Sequence, residues 1–216
     1  GSEAGILDNL SELIGKCEGR VAVACFASNV ARLKTIYEAA TANGRAVSLV
    51  GRSLWRINAA ARQVGYLDDL PAFLEAEDVE DIPKDQILYI CTGSQGEARA
   101  ALSRIAANDH RHVNLGDGDT VIFSSRVIPG NELSIGRLQN KLVQNNVTVI
   151  ADENGNVHVS GHPAEDELIE MYQYVRPQIV VPVHGEPRHL KRHAEIAKNC
   201  QVPETRPGCV WLPGFV

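Results

Sequence analysis

Three histidines near the carboxyl end of the chain stand where metal or proton-transfer chemistry could occur. His158 and His162 lie four positions apart, while His184 follows the apolar run 179–183 and precedes Gly185. A β-branched run of this kind delivers the next side chain to the rim of a sheet, where α/β proteins place metal ligands and proton-transfer groups. The pattern indicates one metal ligand and one histidine that either supports that ligand or acts as acid or base, with purely structural histidines as the alternative.

The remainder of a metal site is not visible in the sequence. A catalytic zinc ion usually has about three protein ligands, yet no His-x-His, His-Glu-x-x-His or paired cysteines precede residue 158. His110 and His112 stand in a polar stretch, which predicts a solvated loop, with metal binding as the lesser alternative. If His184 is a ligand, we therefore expect its partners on another domain or another chain.

Four short polar segments, each between an apolar run and a helix-like stretch, form a second candidate site. In a parallel sheet such segments share the carboxyl edge, where helix N-termini direct free N–H groups outward. Hydroxyls, amides, glycine backbone and two arginines at that edge predict a phosphate-binding crevice, with ordinary caps and turns as the alternative. The predicted phosphate-binding residues of these segments are Ser28, Asn29, Arg52, Ser53, Ser94, Gln95, Gly96, Ser125 and Arg126.

No nucleotide-binding signature accompanies these segments. The patterns G-x-x-x-x-G-K-S/T and G-x-G-x-x-G are both absent, which favours a phosphodiester backbone over a mononucleotide cofactor at this edge. Glu97 stands at the predicted start of a helix, where a structural and a catalytic role are equally compatible. Trp55 and Trp211 could stack on bases, although core packing is the alternative for Trp55.

Alternating strand and helix patterns must position these residues. Short continuous apolar runs separated by helices are typical of a parallel sheet that is covered on both faces. The sequence therefore predicts a doubly wound α/β fold with a mainly parallel sheet flanked by helices. The predicted strands are 20–27, 45–50, 87–92, 120–124 and 147–151, and the predicted helices are 30–42, 53–64, 71–76, 97–107 and 131–145.

The pattern changes at the polar turn 152–156. Beyond it we predict a short strand, a helix over 163–174, a strand over 179–183 and a helix over 187–199. The resulting division is an α/β domain over 3–155, a smaller segment over 156–200 that looks incomplete alone, and an irregular tail over 201–216.

Composition restricts the classes of partner. The net charge of -6 excludes a generally basic nucleic-acid coat but leaves room for a local basic groove. No apolar run is long enough to cross a membrane. The five cysteines form no C-x-x-C pair, so we expect reduced thiols in a cytoplasmic protein.

Taken together, six segments resemble the β-CASP branch of the metallo-β-lactamase superfamily, and most closely the bacterial ribonuclease J family. They occur in the family's order and are residues 24–33, 51–53, 92–97, 124–132, 158–162 and 182–186. The resemblance implies a β-CASP α/β domain followed by a returning segment of a metallo-β-lactamase domain. The family's main ligand loop and first acidic motif are expected before residue 1, and its C-terminal domain is expected beyond the chain.

The resemblance also implies roles for the histidine motifs. His162 matches a histidine that lies beside the scissile phosphate and acts as general acid, and His184 matches a zinc ligand. His158, a second catalytic candidate, and Ser160 match positions expected to contact the phosphate.

The function implied by the resemblance is the RNA-binding part of a zinc-dependent ribonuclease that hydrolyses phosphodiesters in RNA processing and decay. Because one ligand cannot hold a catalytic ion, we expect the chain alone to be inactive and to bind no zinc. The expected partners are RNA, the missing metallo-β-lactamase and C-terminal domains, and a second copy of the chain. The alternative is a stand-alone α/β binding module for a phosphorylated ligand or partner protein, in which the histidines are structural.

Overall fold

The computed structural model describes residues 3–151, 157–159 and 162–206. The chain divides into two compact units, residues 1–159 and 160–216. The first is called the sheet unit and the second the C-terminal unit below. Cys209 and Trp211, together with the predicted turn 152–156, lie outside the described residues. Within those ranges no helix is long and apolar enough to cross a membrane.

The sheet unit alternates helices and strands. Its elements are α1 (Glu3–Gly15), β1 (Val21–Ala24), α2 (Val30–Ala42), β2 (Ala46–Val50), α3 (Arg52–Gln63), a 3-10 turn (Lys84–Gln86), β3 (Ile87–Cys91), α4 (Ala101–Ala106), β4 (Thr120–Phe123), α5 (Glu132–Gln144) and β5 (Thr148–Ile150). The five strands are all parallel and lie in the order β2-β3-β1-β4-β5. The predicted doubly wound α/β fold is thereby confirmed.

The sheet is buried on both faces because successive strand residues point to opposite sides. On one face, Val21 and Val23 of β1 pack with apolar side chains of α1, α2 and α3. On the other face, Ala22 and Ala24 pack with α4 and α5. Every residue of β1 is fully buried, as the continuous apolar run predicts for a strand covered by helices on both sides.

Three predicted elements of the sheet unit differ from the structure, and one of its helices is not predicted. The segment 71–76 is not a helix, because Leu74 pairs as an isolated bridge with Ser48 beside the outer strand β2. Helix α4 begins at Ala101 rather than at residue 97. Residues 157–159 form no strand, and α1 was absent from the sequence prediction although it contributes Leu10 to the core.

The C-terminal unit is smaller. It consists of α6 (Glu165–Val175), β6 (Ile179–Val180), α7 (Pro187–Asn199) and β7 (Glu204–Thr205), and β6 pairs with β7 in parallel. Among the described residues its apolar cluster consists of Val180, Ala197 and Val202 with Tyr172 packed against them, and Ala194 and Ile196 are also buried. The predicted strand 179–183 is therefore shorter than expected, and the start of the predicted irregular tail contains β7. Large apolar side chains remain exposed in this unit, namely Met171, Tyr174, Val175, Ile179, Val181 and Val183.

Candidate functional site

The polar segments that follow β1, β2, β3 and β4 lie at one edge of the sheet. The register places Ala24 level with Cys91 and Phe123, and it places Val50 level with Cys91. The alignment continues beyond the strands, since the Ser124 amide donates to the Ala24 carbonyl at 2.8 Å. The four predicted segments therefore share the carboxyl edge, as the parallel topology requires.

The segments after β2 and β3 pack directly against each other. Gly51 has a φ of 135°, and a Cβ built on it would lie 2.6 Å from Thr92 Oγ1. That hydroxyl accepts a hydrogen bond from the Ala101 amide at 3.2 Å and so caps the start of α4. Glu97 lies before the helix, and its Oε2 accepts from the Gln95 amide at 3.0 Å. The predicted place of Glu97 at a helix start is thus wrong, because the cap comes from Thr92.

Gln95 joins the segments after β3 and β4. Its Nε2 donates to the Arg126 carbonyl at 2.9 Å and to Ser125 Oγ at 3.3 Å. Its Oε1 accepts from the Ile128 amide at 2.9 Å and from Asn131 Nδ2 at 3.2 Å. The buried amide uses both of its donors and its oxygen within the protein. Gln95 therefore holds the loop that carries Arg126, and its predicted contact with a phosphate stays a prediction.

Arg32 of α2 joins the segment after β4 to residue Val157 from inside the sheet unit. Its side chain is 1% exposed. Nη1 donates to the Ser124 carbonyl at 3.1 Å, to Ser124 Oγ at 2.6 Å and to the Val157 carbonyl at 3.1 Å. Ser124 Oγ in turn donates to the same Val157 carbonyl at 2.6 Å. A buried guanidinium thus fastens the backbone next to His158 to the carboxyl edge of the sheet.

The predicted phosphate-binding residues differ in their access to solvent. Arg52, Arg126 and Ser28 are exposed, Asn29 and Ser53 are half-buried, and Ser94 and Ser125 are buried along with Gln95. Asn29 Oδ1 accepts from the Arg32 amide at 3.0 Å as the N-cap of α2, as the cap pattern predicts. The surface that a phosphate can reach therefore consists chiefly of the two arginines, Ser28 and the half-buried polar groups.

Gly96 has a packing role. Its φ is +75°, and an added Cβ would lie 2.5 Å from the Ser134 carbonyl carbon in the first turn of α5. Only a glycine fits this position without movement of the helix. The segment after β3 consequently packs closely against the first turn of α5, and this contact fixes the position of the segment at the sheet edge.

His162 and His184 lie together in the C-terminal unit. Their ring centroids are 5.6 Å apart, with an angle of 38° between the planes. Both side chains are exposed. His184 has a φ of 60°, a left-handed conformation that non-glycine residues adopt at some cost. The Glu186 amide donates to His189 Nδ1 at 3.2 Å where α7 begins, and this anchors the loop that carries His184.

The described residues do not complete a metal site. Among them no group of three or more histidine, cysteine, aspartate or glutamate side chains could hold a metal ion. A catalytic zinc ion needs about three protein ligands, so His184 with one neighbouring imidazole falls short of that donor set. We therefore derive no chemical step through a metal from this chain alone.

Sequence reasoning missed several of these features. A charged side chain on a helix is expected at the surface, so the sequence does not predict the burial of Arg32. The one local clue is its position three residues after the cap Asn29. His110 and His112 lie in a loop as predicted, but the loop is less solvated than expected, because His110 is half-buried and His112 Nδ1 lies 2.6 Å from Glu80 Oε1.

Two further residues were considered for contacts with a base or a phosphate, namely Trp55 and Ser160. Trp55 belongs to the core, where its Nε1 donates to the Leu49 carbonyl at 3.2 Å. The predicted phosphate contact Ser160 lies outside the described residues.

Comparison with known proteins identifies two family profiles in the chain. Residues 18–142 match the family described as Ribonuclease J, beta-CASP domain. Residues 146–203 match the family described as Zn-dependent metallo-hydrolase RNA specificity domain.

Curated relatives point the same way. The chain is 46% identical over 202 residues to ribonuclease J of Sinorhizobium meliloti and 45% identical over 203 residues to that of Mycolicibacterium smegmatis, and each match covers 94% of this chain and 36% of the relative. It is 38% identical over 205 residues to ribonuclease J of Helicobacter pylori, which covers 94% of this chain and 30% of that relative. The chain thus spans about a third of the length of the relatives that it matches.

Proposed function

Because the chain belongs to the ribonuclease J β-CASP family, we propose that it is the RNA-binding part of a zinc-dependent ribonuclease that hydrolyses phosphodiester bonds in RNA processing and decay. The observation that carries this proposal is the carboxyl edge of the sheet, where four loops interlock and present Arg52 and Arg126 to solvent. An arginine fork matches phosphate geometry and remains charged at all relevant pH values. The net charge of -6 favours attraction for RNA at a local basic surface over attraction by the protein as a whole.

The division into domains supports the same proposal. We assign residues 3–155 to a β-CASP domain, 156–200 to a returning segment of the metallo-β-lactamase domain and 201–216 to a tail. The two matched profiles, over 18–142 and 146–203, change close to the first boundary. The small core and exposed apolar side chains of the C-terminal unit are what a segment that completes another domain would have.

The residues of this chain would act on RNA in three ways. Arg52, Arg126 and Ser28 hold the phosphate backbone through charge-assisted and hydroxyl hydrogen bonds. His158 contacts the phosphate beside the edge to which Arg32 fastens the neighbouring Val157 carbonyl. His162 donates a proton to the leaving oxygen, which is ordinary general acid catalysis.

Zinc belongs to the complete enzyme. One of the two matched families consists of zinc-dependent metallo-hydrolases, and we propose His184 as one of the metal's ligands. Bound zinc would supply Lewis acidity and an activated water. Since the described residues hold no complete ligand set, we propose that further ligands come from outside them. The isolated chain therefore binds RNA without cleaving it.

The remaining proposals concern the cellular location and the self-association of the protein. The cysteines in the described ranges, Cys17, Cys25, Cys91 and Cys200, are all free thiols. Reduced thiols support a cytoplasmic location. Self-association of the complete enzyme stays a prediction.

The salt dependence of RNA binding tests the proposal. Fluorescence anisotropy with two labelled single strands of unrelated sequence should show similar affinities that weaken as salt rises, with a slope of roughly -0.7 per neutralised phosphate. Arg52→Ala and Arg126→Ala should each flatten that slope by about the same amount on both strands, because phosphate contacts do not read sequence. Arg137→Ala, an exposed arginine on α5, is the matched control.

Three results would contradict the assignment. Absence of binding at low salt would return the four loops to ordinary caps and turns. A loss confined to one strand would indicate base recognition instead. An equal loss in the Arg137→Ala control would show that the attraction is not local to the carboxyl edge.

A further inference from the structure

A cavity of about 430 Å³ opens at the opposite, amino edge of the same sheet. Arg20 precedes β1, Lys84 lies in the 3-10 turn before β3, and Asp119 precedes β4. The loop between α4 and β4 closes the cavity with Arg111 and its neighbours. Cavities of about 300–1,000 Å³ are the usual size of small-molecule sites. This cavity is formed entirely within the sheet unit, at the edge opposite the proposed RNA surface.

Arg20 is the central cation of this cavity. Its side chain is 23% exposed, and its nearest carboxylate contact is Nη1 to Asp119 Oδ2 at 3.7 Å. Burial raises the pKa of the nearby Tyr89 hydroxyl, and the charge of Arg20 partly opposes that rise. Five guanidinium N–H donors require more acceptors than these two groups supply. A largely buried guanidinium with spare donors is the arrangement that an incoming anion would satisfy.

The two carboxylates of the cavity lining are already engaged. Asp119 Oδ1 accepts from the Arg20 amide at 2.7 Å, and its Oδ2 accepts from the Gly116 amide at 3.0 Å. Glu80 Oε1 lies 2.6 Å from His112 Nδ1, and Glu77 lies 4.0 Å from the other nitrogen of that ring. Each acidic group is thus held by backbone amides or by an imidazole, which lowers its repulsion of a second anion.

Other donors surround the same space. Lys84 and Arg111 are exposed, and within the described part of the chain neither forms an ion pair. His110 Nδ1 accepts from the backbone amides of His112 at 3.4 Å and Val113 at 3.2 Å. A neutral imidazole that accepts at Nδ1 carries its proton at Nε2, so His110 is a further N–H donor in the lining.

From this lining we infer a second binding site, at the amino edge of the sheet, for a phosphate monoester of nucleotide size. Arg20, Lys84 and Arg111 hold the phosphate dianion, and the His110 imidazole and the Asn114 amide are within the same cavity for the sugar or base. The volume exceeds what inorganic phosphate alone would fill. The inference does not rest on the proposed function, because none of these residues belongs to the carboxyl edge.

Calorimetric titration of the whole chain with adenosine 5′-monophosphate, adenosine and inorganic phosphate tests the site. The monophosphate should bind, inorganic phosphate should bind more weakly, and adenosine should bind roughly tenfold or more below the monophosphate because it lacks the charged acceptor. If phosphate binds as tightly as the nucleotide, the site takes the free ion and the nucleotide assignment is wrong. Equal affinities for adenosine and its monophosphate, or no binding of either at millimolar concentration, would overturn the site.

Variants locate the binding. Lys84→Ala and Arg111→Ala should each weaken the monophosphate roughly tenfold, and the circular dichroism of both should be unchanged because both side chains are exposed. Lys141→Ala and Arg137→Ala, also exposed, are the matched controls and should bind as the parent does. Loss of binding in Arg52→Ala instead would place the nucleotide at the carboxyl edge and overturn the assignment, while leaving the proposed RNA site intact.

Discussion

The two compact units differ in how far each is complete by itself. In the sheet unit, a five-stranded sheet is buried on both faces, and the polar loops at its carboxyl edge are fastened to one another by buried hydrogen bonds. In the C-terminal unit, the small apolar core of the described residues leaves large apolar side chains and two neighbouring histidines exposed. The comparison teaches that the proposed RNA-holding surface is internally supported. The proposed catalytic histidines, in contrast, lie exposed on a unit whose described residues bury little apolar surface.

The largest expected effect concerns the two exposed histidines. In the complete enzyme that we propose, His162→Ala should retain bound metal and lower turnover by about 10²–10⁴-fold, the usual range for loss of a general acid. His184→Ala should lower metal occupancy, because it removes a ligand. Metal content and single-turnover rates of both variants measure the difference.

The isolated chain is the control for that prediction. It should not hydrolyse RNA with added zinc or manganese, since one ligand cannot create the metal-bound hydroxide. Robust metal-dependent cleavage by this chain, abolished by His184→Ala, would show that the C-terminal unit is complete after all. Equal metal loss in His162→Ala and His184→Ala would show that the two roles are misassigned.

The next effect lies in the sheet unit, at Arg32. Arg32→Met keeps the apolar stem but removes the donor to Ser124 and to the Val157 carbonyl. Hydrogen bonds to a charged group are worth about 1.5–3 kcal/mol each, so we expect the free energy of unfolding to fall by about 3 kcal/mol. Urea unfolding followed by Trp55 fluorescence, in a Trp211→Phe background, measures this.

Arg56→Met is the matched control, because Arg56 is exposed on α3. The histidine ring signals separate anchoring from general stability: in Arg32→Met the His158 resonances should shift more than those of His184. Unchanged His158 signals would mean that Arg32 does not fix this segment. An equal loss of stability in Arg56→Met would remove the special role of the buried guanidinium.

A smaller effect is expected where the segment after β3 meets α5. Gly96→Ala introduces a Cβ 2.5 Å from backbone of Ser134 at a φ of +75°. Gly130→Ala has a φ of +99° with nothing within 4 Å of the new Cβ, so it carries the conformational strain without the clash. The clash should make Gly96→Ala less stable than Gly130→Ala by about 1–3 kcal/mol in thermal unfolding. Equal losses would mean that α5 moves freely and that the edge is less firmly supported than the comparison holds.

The strands and the shared edge were predictable because their signals are local. A β-branched run such as that around Val23 encodes a buried parallel strand, and Asn29 encodes the start of the helix after it. Arg32 was not predictable, since its burial depends on carbonyl acceptors that lie 92 and 125 positions away in sequence. The isolated bridge at Leu74 was missed for the same reason, because its partner belongs to another element.

The smallest expected effect tests whether the amino edge is also internally supported. Burial, with lesser contributions from Arg104 and His112, lowers the pKa of His110 from its ordinary value of 6.5. The folded chain therefore takes up this proton at lower pH than the unfolded chain, so the unfolded state binds more protons just below pH 6.5. Stability from His110 is present above that pH and is lost as pH falls through the folded-state pKa. Protonation would also remove the Nδ1 acceptor for the Val113 amide.

Thermal unfolding at pH 7.5 and pH 5 measures this loss of stability. The decrease in stability should consequently be smaller in His110→Asn than in the parent chain. In His112→Asn, whose ring pairs with Glu80 in the parent, the decrease should not be reduced. If the stability of His110→Asn falls as steeply between pH 7.5 and pH 5 as that of the parent, the amino edge accommodates the charged imidazole. The internal support of the sheet unit would then be restricted to its carboxyl edge.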